Sequence, residues 1–267
     1  MLKSDEKRLF FAAQTIGVWP REFPGGRILD EENRHLTLAF LGSTSLSHLL
    51  KKMKSFPIPA FHLGIGGYTT KWVFLPHKHE ARVVAAEIEE FSQFHLIDYH
   101  KAVVQWLQAA GYPQKDTRPF FPHITVARGS FDVGSWEKIP CQIPFYISSI
   151  SLLESLGNSH YKPLWQHTLI PPFEEIEHTA DIAFLIRGKD IQDLWLHAQL
   201  ALAFKFPPLI PYLSKEHCDS LDNVTAALNN LIARADLDIG VPFKAVSYHH
   251  EMTSYPHYLE WRMIVDV

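Results

Sequence analysis

Two short segments of the chain pair a histidine with a threonine two residues later. Residues 35–39 read His-Leu-Thr-Leu-Ala, and residues 123–127 read His-Ile-Thr-Val-Ala. Imidazole titrates near neutral pH, so one ring can be neutral and accept a proton while its partner is charged and donates one. Threonine hydroxyls can donate hydrogen bonds to phosphate oxygens and hold a phosphorus atom in line. Two such pairs on one cleft predict acid–base opening of a 2',3'-cyclic phosphate without a metal ion.

β-Strands would position these side chains, because residues two apart on a strand share one face. His35 and Thr37 would then face the cleft, as would His123 and Thr125. The same alternation puts Arg128 on the opposite face from His123 unless a bulge intervenes, so its use as a phosphate ligand is left open.

A structural interpretation of the two histidines is the alternative. The chain has 16 histidines, and two could lie on strands without a chemical role. However, roughly 0.1 His-x-Thr motifs with apolar flanks are expected per chain by chance. Two copies, each followed by alanine, favour the chemical interpretation.

The pattern before residue 171 predicts mostly strands. Strands are predicted at 8–15, 35–41 (ended by Gly42), 60–66, 71–75, 82–89, 122–128, 143–155 and 162–169, and helices at 45–54 and 96–110. Residues 82–89 also fit a helix, and the surrounding pattern decides for a strand.

Pro171 and Pro172 predict a boundary between a first domain at 1–171 and a second at 172–267. Beyond it, strands are predicted at 181–187, 243–250 and 258–266, and helices at 190–204 and 219–235.

Composition narrows the function classes. The net charge of −4 gives no global attraction to nucleic acid, so RNA contacts would need a local basic pocket. Two cysteines form neither a disulfide framework nor a zinc site, which favours a reducing cytoplasm. We expect no membrane association, since no apolar segment is long enough to cross a bilayer and the start of the chain lacks a signal-peptide pattern.

Three stretches resemble the LigT-like two-histidine (2H) phosphoesterases, specifically the RNA 2',3'-cyclic phosphodiesterases. They are Arg-Leu-Phe-Phe-Ala at 8–12, His-Leu-Thr-Leu-Ala-Phe-Leu-Gly at 35–42 and Arg-Pro-Phe-Phe-Pro-His-Ile-Thr-Val-Ala-Arg at 118–128. The resemblance covers about residues 7–170. It implies a two-lobed, pseudo-symmetric α+β fold that hydrolyses a terminal 2',3'-cyclic phosphate of RNA to a 2'-phosphate.

The same resemblance implies residue roles. His35 and His123 would be the acid/base pair, with the identity of the base left open, and Thr37 and Thr125 would bind the phosphate. Tyr161 matches a late family tyrosine, and it joins Arg128 as a candidate substrate contact. One departure is that residues 16–34 replace a family helix with a segment rich in proline and glycine.

Residues 172–267 are similar to a shortened archease, a family that assists an RNA ligase. The matching segments are His-Thr-Ala-Asp at 178–181, Lys-Ala-Val-Ser-Tyr-His at 244–249 and the final Asp-Val. The resemblance implies metal-binding aspartates at Asp181 and Asp266 and a functional Lys244. If the strand ends that carry the aspartates are adjacent, they and Val267 would offer hard oxygen ligands for Ca²⁺ or Mg²⁺. On composition alone, both aspartates are ordinary strand-end residues.

The leading hypothesis is an RNA-end-processing enzyme, of the kind used in tRNA splicing, fused to a ligase-accessory domain. One alternative is a non-catalytic factor that binds RNA ends or activates a ligase. Another is a 2H enzyme that acts on a different cyclic phosphate.

Overall fold

The computed structural model describes residues 5–91, 95–113, 118–248 and 251–267. Within these ranges, two β-sheets and five α-helices form a mixed α/β fold. The first sheet contains β1 (Glu6–Gly17), β2 (Arg27–Ile28), β3 (His35–Ser45), β4 (Gly66–Leu75), β5 (Val83–Glu90), β6 (His123–Arg128), β7 (Pro144–Gly157) and β8 (His160–Thr168). The second contains β9 (Phe173–Ile176), β10 (Ile182–Gly188), β11 (Ala245–Val246), β12 (Met252–Ser254) and β13 (Leu259–Asp266).

The helices divide between the two parts of the chain. They are α1 (Leu46–Lys52), α2 (His95–Ala109) and α3 (Val133–Trp136) beside the first sheet, and α4 (Ile191–Lys205) and α5 (Leu221–Ile239) beside the second. Asp190 and Ser220 cap α4 and α5, because each side chain accepts a hydrogen bond from the backbone N–H three residues on. No helix within the described ranges is both long and apolar enough to cross a membrane.

The first sheet closes on itself. Its order is β1-β3-β6-β5-β4-β7-β8, and β1 also pairs with β7, so the strands from β1 round to β7 form a ring with every pair antiparallel. The short strand β2 adds to β6, and β8 pairs with β7. Inside the ring, Leu36 and Ile124 are fully buried in one core. The strands that carry the two His-x-Thr motifs, β3 and β6, are therefore neighbours.

The chain passes from the first sheet to the second between Thr168 and Phe173, a connection that contains both prolines of the predicted boundary. The second core is not made by residues 172–267 alone, because Phe91 and Tyr146 also pack in it. The division into two domains, and the likeness of the second to archease, therefore stay predictions.

Helix α4 lies between the two parts and packs against β10 and β13 on the one hand and β4 and β7 on the other. The approach is close at Gly66, where a Cβ atom would lie 2.5 Å from Cδ2 of the fully buried Leu200. Glycine at this position lets the backbone of β4 contact the helix directly.

Most predicted elements are confirmed within two or three residues at their ends, including a strand rather than a helix at 82–89. Five predictions need correction. The strand predicted at 71–75 already begins at Gly66, and the helix predicted at 219–235 continues to Ile239. Gly42 does not end β3; it lies at a bulge with a φ of +72°, and the strand continues to Ser45. Residues 60–65 form only the isolated bridge Leu63–Ile170. The strand predicted at 243–250 shrinks to β11, and its residues 249–250 lie outside the described residues.

The contact between Gly66 and Leu200 predicts coupled stability effects. Gly66→Ala should lower the free energy of unfolding by about 1–3 kcal/mol through overpacking, and Leu200→Ala by about 2–5 kcal/mol through a cavity. The double variant should cost less than the sum, because the new methyl group occupies space that the leucine vacates. Urea unfolding followed by tryptophan fluorescence measures all three. Additive costs would show that the two residues do not touch.

Candidate active site

The two motifs face each other through the pairing of Leu36 with Ile124, which joins β3 to β6 in antiparallel orientation. These two residues point into the core, so the residues on either side of them point to the opposite face. In this register His35 lies toward Thr125, and Thr37 lies toward His123. The two histidines occupy one diagonal of a rectangle and the two threonines occupy the other.

The imidazole rings are held in the same way. His35 Nδ1 lies 2.8 Å from the carbonyl oxygen of Asn33, and His123 Nδ1 lies 2.8 Å from that of Phe121. A carbonyl oxygen can only accept, so each Nδ1 carries the proton and donates it. In the neutral ring Nε2 is then unprotonated and can act as a base, while in the charged ring it can donate a proton.

The surroundings favour neutral rings. Burial lowers the pKa of His35 to about 4, and the charges of Arg128 and His123 lower it as well, while the bond to Asn33 opposes the change. Burial is also the main cause of a lowered pKa for His123, and Arg128 again contributes. His35 is 7% exposed and His123 is less deeply buried, so burial acts more strongly against the charged form at His35.

Arg128 lies on the cleft side, contrary to the simple alternation of the strand. β5 pairs Ala85 with Thr125 and Val84 with Ala127, so one residue of β6 between them is unpaired and forms a bulge. The extra residue shifts the alternation and returns Arg128 to the face of Thr125. The electrostatic influence of Arg128 on both imidazoles agrees with this position.

The first motif carries the same irregularity. β1 pairs Ala12 with Thr37 and Phe11 with Ala39, which leaves Leu38 as the extra residue and brings Phe40 to the cleft face. Phe40 follows His35 at the same spacing at which Arg128 follows His123, so the two residues occupy corresponding positions. The Phe40 side chain is 63% exposed. The cleft is thus cationic beside one motif and apolar beside the other.

Aromatic rings enclose His35. Its ring lies 5.1 Å from that of Phe10 and 4.9 Å from that of Tyr161, with Tyr161 edge-on. Tyr161 therefore lies at the site through ring packing against the histidine, and its contact with substrate stays a prediction. The sequence interpretation missed Phe10 and Phe40 as site residues. Phe10 lies in β1, within the matching stretch at 8–12, and Phe40 follows the first motif.

Two charged residues near the cleft were also missed. Glu87 is the cross-strand partner of His123, and its carboxylate is 2.9 Å from Lys71 Nζ. Arg27 is the cross-strand partner of Arg128. Neither residue belongs to a motif, so only the strand register identifies them.

The residues predicted for a cation lie at one end of the second sheet. Ile182 pairs with Val265 and Ala245 pairs with Asp266, so Asp181 and Asp266 lie at neighbouring strand ends. Lys244 Nζ donates to the Val267 carbonyl oxygen at 2.5 Å. The described part of the chain contains no group of three or more histidine, cysteine or acidic side chains arranged to hold a metal ion. Two carboxylates and a carbonyl oxygen are nevertheless hard oxygen ligands, the kind that Ca²⁺ and Mg²⁺ prefer.

Comparison with known proteins reveals one curated relative with a named activity. The chain is 29% identical to an RNA 2',3'-cyclic phosphodiesterase of Thermotoga maritima over 128 residues, which are 45% of this chain and 63% of that protein. The matched segment therefore spans less than two thirds of the relative. No protein-family model matches the chain. The homology to a cyclic phosphodiesterase extends over about half of the chain.

Solved structures that match part of the chain include E. coli LigT and a protein of Thermus thermophilus. The apo form of LigT is 24% identical, with a TM-score of 0.46 over 62% of this chain and 99% of that chain. LigT in complex with 3'-AMP is 24% identical, with a TM-score of 0.46 over 61% of this chain and 98% of that chain. The Thermus protein is 19% identical, with a TM-score of 0.44 over 61% and 97%.

The electrostatic link between Arg128 and the histidines predicts a measurable titration. Arg128→Gln removes a positive charge that disfavours both imidazolium ions, so the pKa values of His35 and His123 should both rise. Histidine Cε1–H signals followed by NMR across pH 3–8 report both midpoints. Arg262→Gln, in the second sheet, is the control and should leave them unchanged. Equal midpoints in wild type and Arg128→Gln would mean that the guanidinium does not face the histidines.

Proposed function

We propose that the cleft hydrolyses a terminal 2',3'-cyclic phosphate of RNA to a 2'-phosphate by paired-histidine acid–base catalysis. The observation that carries the proposal is the diagonal arrangement of the two imidazoles around the Leu36–Ile124 pair. The homology to an RNA 2',3'-cyclic phosphodiesterase over about half of the chain supports the substrate class.

The diagonal suits an in-line displacement. Diagonal neighbours in an antiparallel pair are roughly 7 Å apart at their Cβ atoms, which leaves room for one phosphate between the rings. A water molecule on one side attacks phosphorus while one Nε2 takes its proton. The bond from phosphorus to the ribose 3'-oxygen breaks on the other side, and the second Nε2 donates the proton that this oxygen needs.

The different burial of the two rings suggests an assignment of roles. His35, with the pKa near 4, stays unprotonated at neutral pH and suits the base. His123 is less buried and lies closer to solvent, so it more readily holds the proton that the acid must donate. Binding of the anionic phosphate between the rings favours their charged forms and raises the fraction of enzyme in the active protonation state.

Threonine hydroxyls and a guanidinium would stabilise the charge that develops on phosphorus. Thr37 and Thr125 occupy the second diagonal, so each hydroxyl can donate to a different non-bridging oxygen. Arg128, on the same face, can offset the growing negative charge. We expect no metal ion in this reaction, and EDTA should leave its rate unchanged.

Replacement of either histidine tests the proposal. His35→Ala and His123→Ala should each lower kcat for an RNA oligonucleotide with a 2',3'-cyclic phosphate end by roughly 10²–10⁴-fold, because each removes a proton-transfer group. Conversion to the 2'-phosphate, followed by gel mobility with and without phosphatase, measures the rate.

His197→Ala is a matched control for the loss of a buried imidazole. His197 is also buried, with Nδ1 2.5 Å from the Arg187 carbonyl oxygen, but it lies beside the second core. His197→Ala should lower the melting temperature and leave kcat nearly unchanged. Undiminished turnover in His35→Ala or in His123→Ala would remove the proposed mechanism.

Two other functions remain as alternatives to be separated by the same assay. A factor that only binds RNA ends would retain the oligonucleotide and release no product. An enzyme for another cyclic phosphate would act on a cyclic mononucleotide or on ADP-ribose cyclic phosphate in preference to RNA. Binding and turnover measured on the same three substrates distinguish these cases.

For residues 172–267 we propose an archease-like accessory role toward an RNA ligase, with a divalent cation at the end of the second sheet. The register that brings Asp181 beside Asp266 favours it, since two carboxylates at facing strand ends repel each other unless a cation lies between them. The Val267 carbonyl oxygen and the Ser247 hydroxyl, 3.4 Å from Asp266 Oδ1, are further oxygen donors. Lys244 donates to this carbonyl and would shift aside or supply part of the positive charge.

Calorimetry tests the cation site. Wild type should bind Ca²⁺, and Asp266→Asn should weaken that binding at least about tenfold because one charged ligand becomes neutral. Asp238→Asn, which removes an exposed carboxylate from α5, is the control and should bind as wild type does. If the wild type showed neither a binding heat nor a Ca²⁺-dependent rise in melting temperature, the proposed cation site would be wrong. The phosphodiesterase proposal would be unaffected.

A further inference from the structure

Arg27 lies beside Arg128 on the cleft face. β2 pairs Arg27 with Arg128 and Ile28 with Ala127, and directly opposite residues of an antiparallel pair share one face. Ile28 and Ala127 pack in the first core, so the two arginines point to the other side, where Thr125 lies.

Like charges directly opposite on a sheet destabilise it, and nothing in the described residues neutralises this pair. Ion pairs of other arginines are present at Arg34, Arg187 and Arg262. Neither Arg27 nor Arg128 has an acidic partner in the part of the chain that the structure describes. In a protein with a net charge of −4, two unneutralised guanidiniums side by side favour binding of an anion.

The tip of the β7–β8 hairpin holds the Arg27 side chain in place. Arg27 Nη1 donates to Asn158 Oδ1 at 3.3 Å, and Nη2 donates to Ser159 Oγ at 3.4 Å. The same hairpin carries Tyr161, whose ring packs against His35. Arg27 therefore connects the β2 side of the cleft with the hairpin beside the first histidine.

The hairpin turn accepts backbone strain at this contact. Asn158 and Ser159 have φ values of 51° and 65°, the left-handed conformation that a two-residue turn of this kind needs at both positions. Glycine is the favoured second residue, and serine costs of the order of 1 kcal/mol there. The hydroxyl that receives Arg27 therefore lies at a position where its side chain is disfavoured, which is expected if the contact serves the site.

We infer that Arg27 binds the phosphodiester next to the reacting cyclic phosphate, so that the enzyme distinguishes RNA chain ends from cyclic mononucleotides. The inference rests on the proposed function and deepens it. The guanidinium has five N–H donors, and the two bonds to the hairpin leave others for a phosphate. The neighbouring Arg128 lies with the histidines, so a phosphate at Arg27 belongs to the adjacent nucleotide of the same strand.

Comparison of two substrates tests the inference. Wild type should have a higher kcat/KM for an RNA trinucleotide with a 2',3'-cyclic phosphate end than for adenosine 2',3'-cyclic phosphate. Arg27→Gln should lower the value for the trinucleotide about tenfold, mainly through KM, and change that for the mononucleotide less than about twofold. In a plot of log kcat/KM for the trinucleotide against log salt concentration, the slope should become shallower by about one in Arg27→Gln.

Ser159→Gly separates positioning from folding. The variant relieves the strained φ, so its melting temperature should equal or exceed that of wild type. It also removes the hydroxyl acceptor of Arg27, and the advantage of the trinucleotide over the mononucleotide should shrink.

The outcomes are distinct. Equal losses for both substrates in Arg27→Gln would mean that Arg27 only fixes the hairpin, and they would overturn the inference while leaving the proposed activity in place. Unchanged kinetics on both substrates would overturn it as well. If wild type turned over neither substrate, the proposed function and the inference would fall together.

Discussion

The site depends on one backbone pairing, between Leu36 on β3 and Ile124 on β6. Both side chains are fully buried, and burial of each stabilises the fold by about 1.5–3 kcal/mol. A slip of either strand by one residue would expose its buried residue of this pair and turn its histidine and threonine into the core. The hydrophobic core thus fixes which face carries the chemistry, and the pairing of the strands fixes which histidine lies opposite which threonine.

The bulge after each motif determines what surrounds the four central side chains. In both strands the extra residue follows the threonine and shifts the alternation of the residues after it. The two motifs have similar backbone pairing but differ in one side chain, since Phe40 in the first strand occupies the position of Arg128 in the second. A cleft built from two nearly equivalent strands thereby becomes asymmetric, with an exposed aromatic ring beyond the threonine of one strand and a guanidinium beyond the threonine of the other.

Local patterns in the sequence predict most of the helices and strands that the structure contains, and the structure places the four central side chains on one face. Alternating apolar residues around the motifs were sufficient to predict strands with the histidines and threonines on a common face. The position of Arg128 could not be predicted, because a bulge is set by pairing with a partner strand rather than by local sequence. Arg27 was missed for a related reason: β2 has two residues, too few for a periodic pattern, and its role follows only from its pairing with β6. Long-range register carries this information, and a single sequence does not display it.

The packing of α4 limits how the second part of the chain can meet a partner. A surface helix normally exposes one face, yet α4 is buried continuously from Leu194 to Ala203. One side of it packs on the second sheet and the other on β4 and β7, so neither side is available to another protein while the two parts stay together. The end of the sheet that carries Asp181 and Asp266 is different, since both are half-buried and the adjacent Val267 is 44% exposed. A ligase-directed role would therefore use a surface other than α4, such as this end of the sheet. Because α4 separates it from the strands of the histidine motifs, substitutions at one location should leave the function of the other intact.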